Sequence, residues 1–228
     1  MRLLTPAALL IGLVGLVQLP VMQAAIVTVP PDLKPGDTYR LIFVTSATRN
    51  ATSTDISDYN SFVSSLAGSV PELVALGASW SAIASTSMVD ASANVGPSAA
   101  PIYRLDGQFI AAHPDDFWDG TLSASILLTE TGAESSATAV WTGTLPTGDR
   151  HPAFALGADL AVTGVQTTRF RRWIFDELAS TSSSHALYGI SSELTVPAAP
   201  IPEPSSLWLA MGALLFLSAS RKFSGTIH

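Results

Sequence analysis

Two unbroken apolar runs bracket a long middle in which hydrophobic and polar positions alternate on short periods. Within that middle, Thr38-Tyr-Arg-Leu-Ile-Phe-Val-Thr45 is rich in β-branched and aromatic residues. It follows the turn Lys34-Pro-Gly-Asp37, and the pattern predicts a buried strand. Ile56, Tyr59, Phe62, Val63 and Leu66 recur at helical spacing, with Ser53 to Asp55 as caps and Gly68 as a stop. Ser69-Val-Pro-Glu72 has the spacing of a capping box ahead of Leu73 to Leu76, with Gly77 as its end. Beyond that the chain breaks into short strand-like pieces: Trp80 to Ser85, Pro101 to Leu105, Gln108 to Ala111, Ser125 to Thr129, Thr138 to Thr142, Arg172 to Phe175 and Ala186 to Ser191. Asp106-Gly107 falls between two of them and predicts a hairpin turn, because glycine tolerates positive φ. Helices early and strands late predict an α+β domain; an all-β sandwich with one or two helices is the alternative.

The terminal runs carry a different kind of information. Arg2 precedes an apolar stretch from Ala7 to Val17, Pro20 stops it, and Ala24 and Ala25 supply small residues for cleavage. That is the layout of a secretory signal and too short for a stable membrane span. Met22 or Gln23 at the −3 position leaves the cut point open by a residue or more, and a retained anchor is the alternative. At the other end, the Pro/Ala-rich stretch Thr195 to Ile201 leads into Pro202-Glu203-Pro204, two serines, the apolar run Leu207 to Ala219 and the basic pair Arg221-Lys222. Thirteen helical residues reach only ~20 Å against a hydrocarbon core of ~30 Å, so the run makes a marginal anchor. Arg221 and Lys222 would hold the last residues on the cytoplasmic side.

This ending resembles the PEP-CTERM sorting signal of bacteria: a Pro-Glu-Pro motif, a short apolar helix and a basic finish, spanning Pro202 to about Lys222. An ordinary C-terminal membrane anchor is the plainer alternative. The resemblance implies processing by signal peptidase and exosortase, transient residence in the membrane through 207–219, and an inner-membrane intermediate. The product would then lie at the cell surface or in the extracellular matrix of a Gram-negative bacterium, associated with exopolysaccharide. The implied organisation is a signal peptide at 1–24 and an exported globular domain at 25–197. A linker with the Pro-Glu-Pro motif follows at 198–206, then a sorting helix at 207–219 and a basic cytoplasmic tail at 220–228.

Composition sharpens the picture of the middle. The 228-residue chain has a formal charge of −7; residues 25–197 alone hold 8 basic and 17 acidic residues, net −9, and 42 of their residues are Ser or Thr. Such a surface argues against a nucleic-acid partner. Absence of Cys excludes disulfides, thiolate metal sites and cysteine nucleophiles. Trp80, Trp118, Trp141 and Trp173 read mostly as core.

The order Ser79-Trp80, Pro101-Ile-Tyr-Arg-Leu-Asp-Gly107, His113-Pro114, Phe117-Trp118-Asp119-Gly120 resembles the collagen endostatin domain, a variant of the C-type lectin-like fold. Val140-Trp141-Thr142-Gly143 and Leu187-Tyr-Gly-Ile-Ser191 are similar to parts of bacterial exported domains with that core. The resemblance implies a lectin-like scaffold over roughly Trp80 to Ser191. The relatives' disulfides, N-terminal histidine zinc site and heparin-binding arginines do not carry over, since this chain has no Cys, no His before His113 and a negative domain.

Candidate chemistry is sparse. G-x-S-x-G, S-x-x-K, P-loop and G-x-G-x-x-G motifs do not occur. His113, His151 and His185 lack metal-ligand spacing and read as surface or turn residues. Asp115, Asp116 and Asp119 crowd a turn beside Trp118, with Asp106 brought near by the lectin-like scaffold; they are calcium candidates, set against a solvated acidic loop. Trp118 and Asp119 are candidate ligand contacts, and Asp119 with Glu130 a conceivable glycosidase pair. Arg169 and Arg171 would share one face of a strand and Phe170 and Arg172 the other, to bind a carboxylate-bearing sugar or to pair with Asp176 or Glu177. The expectation is a non-catalytic binding or structural module without a cofactor; a secreted carboxylate-dependent hydrolase and a purely structural coat protein are the rivals.

Overall fold

The computed structural model describes residues 25–198. The signal segment predicted at 1–24 and the sorting residues Pro202, Glu203, Pro204, Arg221 and Lys222 lie outside the described residues. Among the described residues no helix is long and apolar enough to cross a membrane.

The elements run in chain order as β1 (Thr38–Val44), α1 (Ile56–Ala67), α2 (Pro71–Val74), β2 (Trp80–Ala82), α3 (Ala91–Val95), β3 (Ile102–Arg104), β4 (Phe109–Ala111) and α4 (Pro114–Phe117). Then follow β5 (Val140–Trp141), β6 (Leu160–Gly164), a 3-10 turn at Arg171–Trp173, β7 (Leu178–Ser180), β8 (Ala186–Ser191) and β9 (Leu194–Thr195). The strands form one mixed sheet in the order β4-β3-β1-β8-β5-β6-β7, with β2 beside β8 and β9 beside β1. The α+β expectation holds at this level, as mostly sheet with few helices.

β1 is the central strand, parallel to β3 and antiparallel to β8. Its alternate residues feed opposite faces. Tyr39, Leu41 and Phe43 join a core with Tyr59, Val63, Leu73, Trp80 and Trp141. Ile42 and Val44 join a second core with Ile102, Phe117, Val140, Trp173 and Tyr188. Burial on both faces is why its sequence reads as a continuous apolar run rather than an alternation. Arg40, in the middle of that run, is buried by giving its Nε to the Ser191 carbonyl at 2.7 Å and an Nη to the Val95 carbonyl at 2.9 Å.

Helix α1 covers the first core. Asp55 caps it, accepting the Ser57 N–H at 2.9 Å, and Gly68 ends it, as the periodicity predicts. It lies so close to β8 that a Cβ on Gly189 would stand 2.6 Å from Val63 Cγ1, and Phe43 Cζ of β1 crowds the same spot at 2.7 Å. The Asp106-Gly107 hairpin forms as expected, joining β3 to β4 with Gly107 at φ +81°.

Other expectations are corrected. The capping box at Ser69 does not form: Val70 is the N-cap of α2, and the Ser69 hydroxyl donates back to the Leu66 carbonyl at 2.6 Å. Ser125 to Thr129 is not a strand; it contributes only single bridges, Val44 with Thr129 and Leu128 with Glu134. Arg172 to Phe175 falls in and after the 3-10 turn, so Arg169 and Arg171 do not share a strand face. Trp173 and Ile174 are both buried in succession, which a two-residue alternation cannot deliver. Thr195, at the head of the Pro/Ala-rich stretch, is still part of the sheet and pairs with Thr38 in β9.

Candidate functional site

The C-terminal end of β1 and the N-terminal ends of β5 and β8 meet at one end of the sheet, because β8 is antiparallel to β1 and parallel to β5. The loops entering and leaving that end enclose a cleft of about 360 Å³. Thr45, Ser46 and Thr48 supply one wall, residues 129–139 a second, and Ser184 with His185 the third. Three backbone ties hold the walls: Arg49 pairs with His185, Val44 with Thr129, and Leu128 with Glu134.

The lining is dominated by hydroxyls. Thr45 uses its hydroxyl inside the protein, donating to the Ala47 carbonyl at 2.7 Å and accepting the Leu187 N–H at 2.9 Å. Thr48, Ser136, Thr138 and Ser184 make no side-chain hydrogen bond among the described residues, so their hydroxyls are available to a ligand. Among the described residues, no Lys or Arg lines the cleft. His185 packs edge-on against Trp141, ring centroids 4.6 Å apart, and burial holds its imidazole below the usual histidine range, in the neutral form near pH 7. Trp141 is itself fully buried and donates its Nε1 to the Arg49 carbonyl at 2.9 Å, which fixes the platform under His185.

Glu130 sits between the lining residues Thr129 and Thr131 yet is only 1% exposed. Its Oε2 accepts the Ser46 N–H at 2.9 Å and its Oε1 accepts the Ser46 hydroxyl. This carboxylate therefore ties the first wall to the second. Asp119 acts elsewhere, its Oδ1 accepting the Thr121 N–H at 2.7 Å. The two residues of the conceivable glycosidase pair thus sit on different loops with different partners, and neither lines the cleft.

The other candidates are likewise dispersed. Asp106 is gripped by Arg104 through both oxygens, at 3.0 and 2.6 Å. Burial pushes its carboxyl up, but the Arg104 fork and the Gln108 N–H outweigh this and hold it below the usual carboxylate range. Asp116 Oδ2 accepts the Ala112 N–H at 2.7 Å, and Asp115 lies in α4. Among the described residues, no three His, Asp or Glu side chains are grouped to hold a metal ion. Trp118 is half-buried against the Phe117 ring, and a Cβ on Gly148 would meet it at 2.8 Å.

His113 lies at the start of α4, and Asp116 donates its N–H toward the His113 Nδ1 at 3.4 Å. His151 Nδ1 accepts the N–H groups of Ala153 and Phe154 at 3.2 and 3.1 Å. Arg172 pairs with Asp176, one of its two expected acidic partners, while Arg171 lies over the Phe175 ring at 4.5 Å and Arg169 over Phe170 at 5.1 Å. Sequence reasoning missed the cleft hydroxyls. The only trace of them in the sequence is the density of Ser and Thr in loops such as Ser135-Ser136 and Thr181 to Ser184.

No curated protein matches the chain. Residues 200–222 match the PEP-CTERM protein-sorting motif. By that signal, which holds the Pro-Glu-Pro triplet and the basic pair Arg221-Lys222, the chain is an exosortase substrate, exported and sorted through it.

Proposed function

We propose that the exported domain is a non-catalytic module of the cell surface or extracellular matrix that seats a neutral, polyhydroxylated chain, an extracellular polysaccharide, in the hydroxyl-lined cleft. One observation carries this reading: among the described residues, the cleft offers hydroxyls without a side-chain partner from all three walls and no Lys or Arg. Hydroxyls both donate and accept, which suits sugar hydroxyls, and a cation-free lining has nothing with which to hold an anion. The non-catalytic part is supported by Glu130, whose two oxygens are both occupied by Ser46 and which is closed off from solvent. The lectin-like scaffold belongs to the same proposal; Trp80, the Asp106-Gly107 hairpin and Trp141 all sit in or beside the mixed sheet.

Glycan-array binding and polysaccharide hydrolysis by the mature protein test it together. Binding to neutral glycans should weaken about 3- to 10-fold for Ser184→Ala or Thr48→Val, the worth of one net hydrogen bond each. Turnover that is lost in Glu130→Gln or Asp119→Asn would replace this reading with the hydrolase. Assembly without any glycan binding would replace it with the coat protein.

A further inference from the structure

We propose that exosortase works against the folded domain itself, docking on the end of the sheet opposite the cleft, around the turn Lys34 to Asp37. The inference rests on the sorting signal and not on the glycan reading. Strand β9 runs antiparallel to β1, with Thr195 opposite Thr38, so the chain leaves the domain past the first residue of β1. That exit is fixed: the Val196 N–H donates to the Asp37 carbonyl at 2.8 Å and the Gly36 N–H donates to the Val196 carbonyl at 3.0 Å. The cleft lies beyond the other end of β1, about 20 Å away along a seven-residue strand.

The length of chain that remains decides the matter. From Val196 to Pro202 is six residues, about 22 Å when fully extended. A domain of this length is about 40 Å across. An enzyme that closes on the Pro-Glu-Pro motif therefore has little room to stand clear of the domain. It must meet the face from which the chain emerges. That face presents the exposed Lys34 turn and, beside the exit, a groove of about 310 Å³ lined by residues including Tyr39, Leu76, Leu194 and Pro197.

Absence of cysteine makes the test direct, because one introduced thiol is the only one. In cells with exosortase under inducible control, the full chain accumulates unprocessed. Lys34→Cys and Asn50→Cys variants, one at the exit turn and one beside the Arg49–His185 tie of the cleft, are labelled in spheroplasts with an impermeant polyethylene-glycol maleimide of about 5 kDa. Exosortase is then induced and processing followed with time. The label at position 34 should slow processing at least five-fold, and the label at position 50 should leave it unchanged. A flexible Gly/Ser insertion of 15 residues after Ala198, which adds about 20 Å of reach, should restore the rate of the chain labelled at position 34. Equal rates for the two labelled chains, or no recovery with the insertion, would overturn the docking surface. An unlabelled chain that is never processed would remove the sorting reading and this inference together.

Discussion

His185 lines the cleft on a platform provided by Trp141, and that position gives it a measurable pH signature. Burial lowers its pKa in the folded protein below the ordinary 6.5. The unfolded chain then binds the extra proton more readily, so stability is greatest above pH ~6.5 and falls as the pH drops through that value toward the folded pKa. Melting temperatures taken between pH 7.5 and pH 5 should decline, and His185→Gln should flatten the part of the decline due to this residue. An identical slope in the variant would mean that His185 does not titrate in this window. Gly143 makes a second point at the same scale. Its φ is +62°, and a Cβ there would stand 2.6 Å from the Ser85 carbonyl oxygen and 2.7 Å from the Leu156 nitrogen, both backbone atoms that no rotamer change can move. Gly143→Ala should cost about 2 kcal/mol or more, read as a lower urea midpoint with an unchanged m-value.

At the scale of elements, the Asp106-Gly107 hairpin predicts its own test. Gly107→Ala places a side chain at φ +81°, with its Cβ 3.2 Å from Pro31 Cδ, and should cost about 1–2 kcal/mol in the same measurement. This turn, β1 and α1 were legible because each is specified locally: a positive-φ position, a β-branched run after a turn, and a helical period between Asp55 and Gly68. The segment Arg171–Trp173 was not, since Arg and aromatic residues in alternation look like a strand edge until the core claims Trp173 and Ile174 in succession. Strand β6, Leu160–Gly164, escaped for a related reason. Its partners β5 and β7 are only two and three residues long, so its pairing is set by the sheet and not by its own pattern. The cleft was the least legible feature of all. Its walls come from residues 45–48, 129–139 and 184–185, and only the antiparallel return of β8 onto β1 brings them together.

For the whole molecule, charge and function point in different directions, and this separates the readings of the domain. Residues 25–197 carry a net −9, so any ligand held by ion pairs, such as an anionic polymer on Arg169 and Arg171, must overcome a repulsive background. Such binding would strengthen or weaken several-fold with salt, because the Debye length falls from ~30 Å at 0.01 M to ~10 Å at 0.1 M. A neutral glycan in the cleft, whose lining includes Glu134, forms hydrogen bonds to hydroxyls and carries no net charge on which that field can act. Its affinity should therefore be the same within two-fold between 10 and 300 mM NaCl, and Arg169→Ala with Arg171→Ala should not change it. Titration of a neutral oligosaccharide by calorimetry at the two salt concentrations checks this. A strong salt dependence that disappears in the double variant would move the binding site from the cleft to the arginine turn. Calorimetry also tests the acidic candidates. Asp106 is committed to Arg104, Asp116 to the Ala112 N–H and Asp119 to the Thr121 N–H, so none is left with a full set of free oxygens for calcium. Adding a chelator should leave the melting temperature unmoved, and a drop of several degrees would show that these carboxylates hold a cation after all.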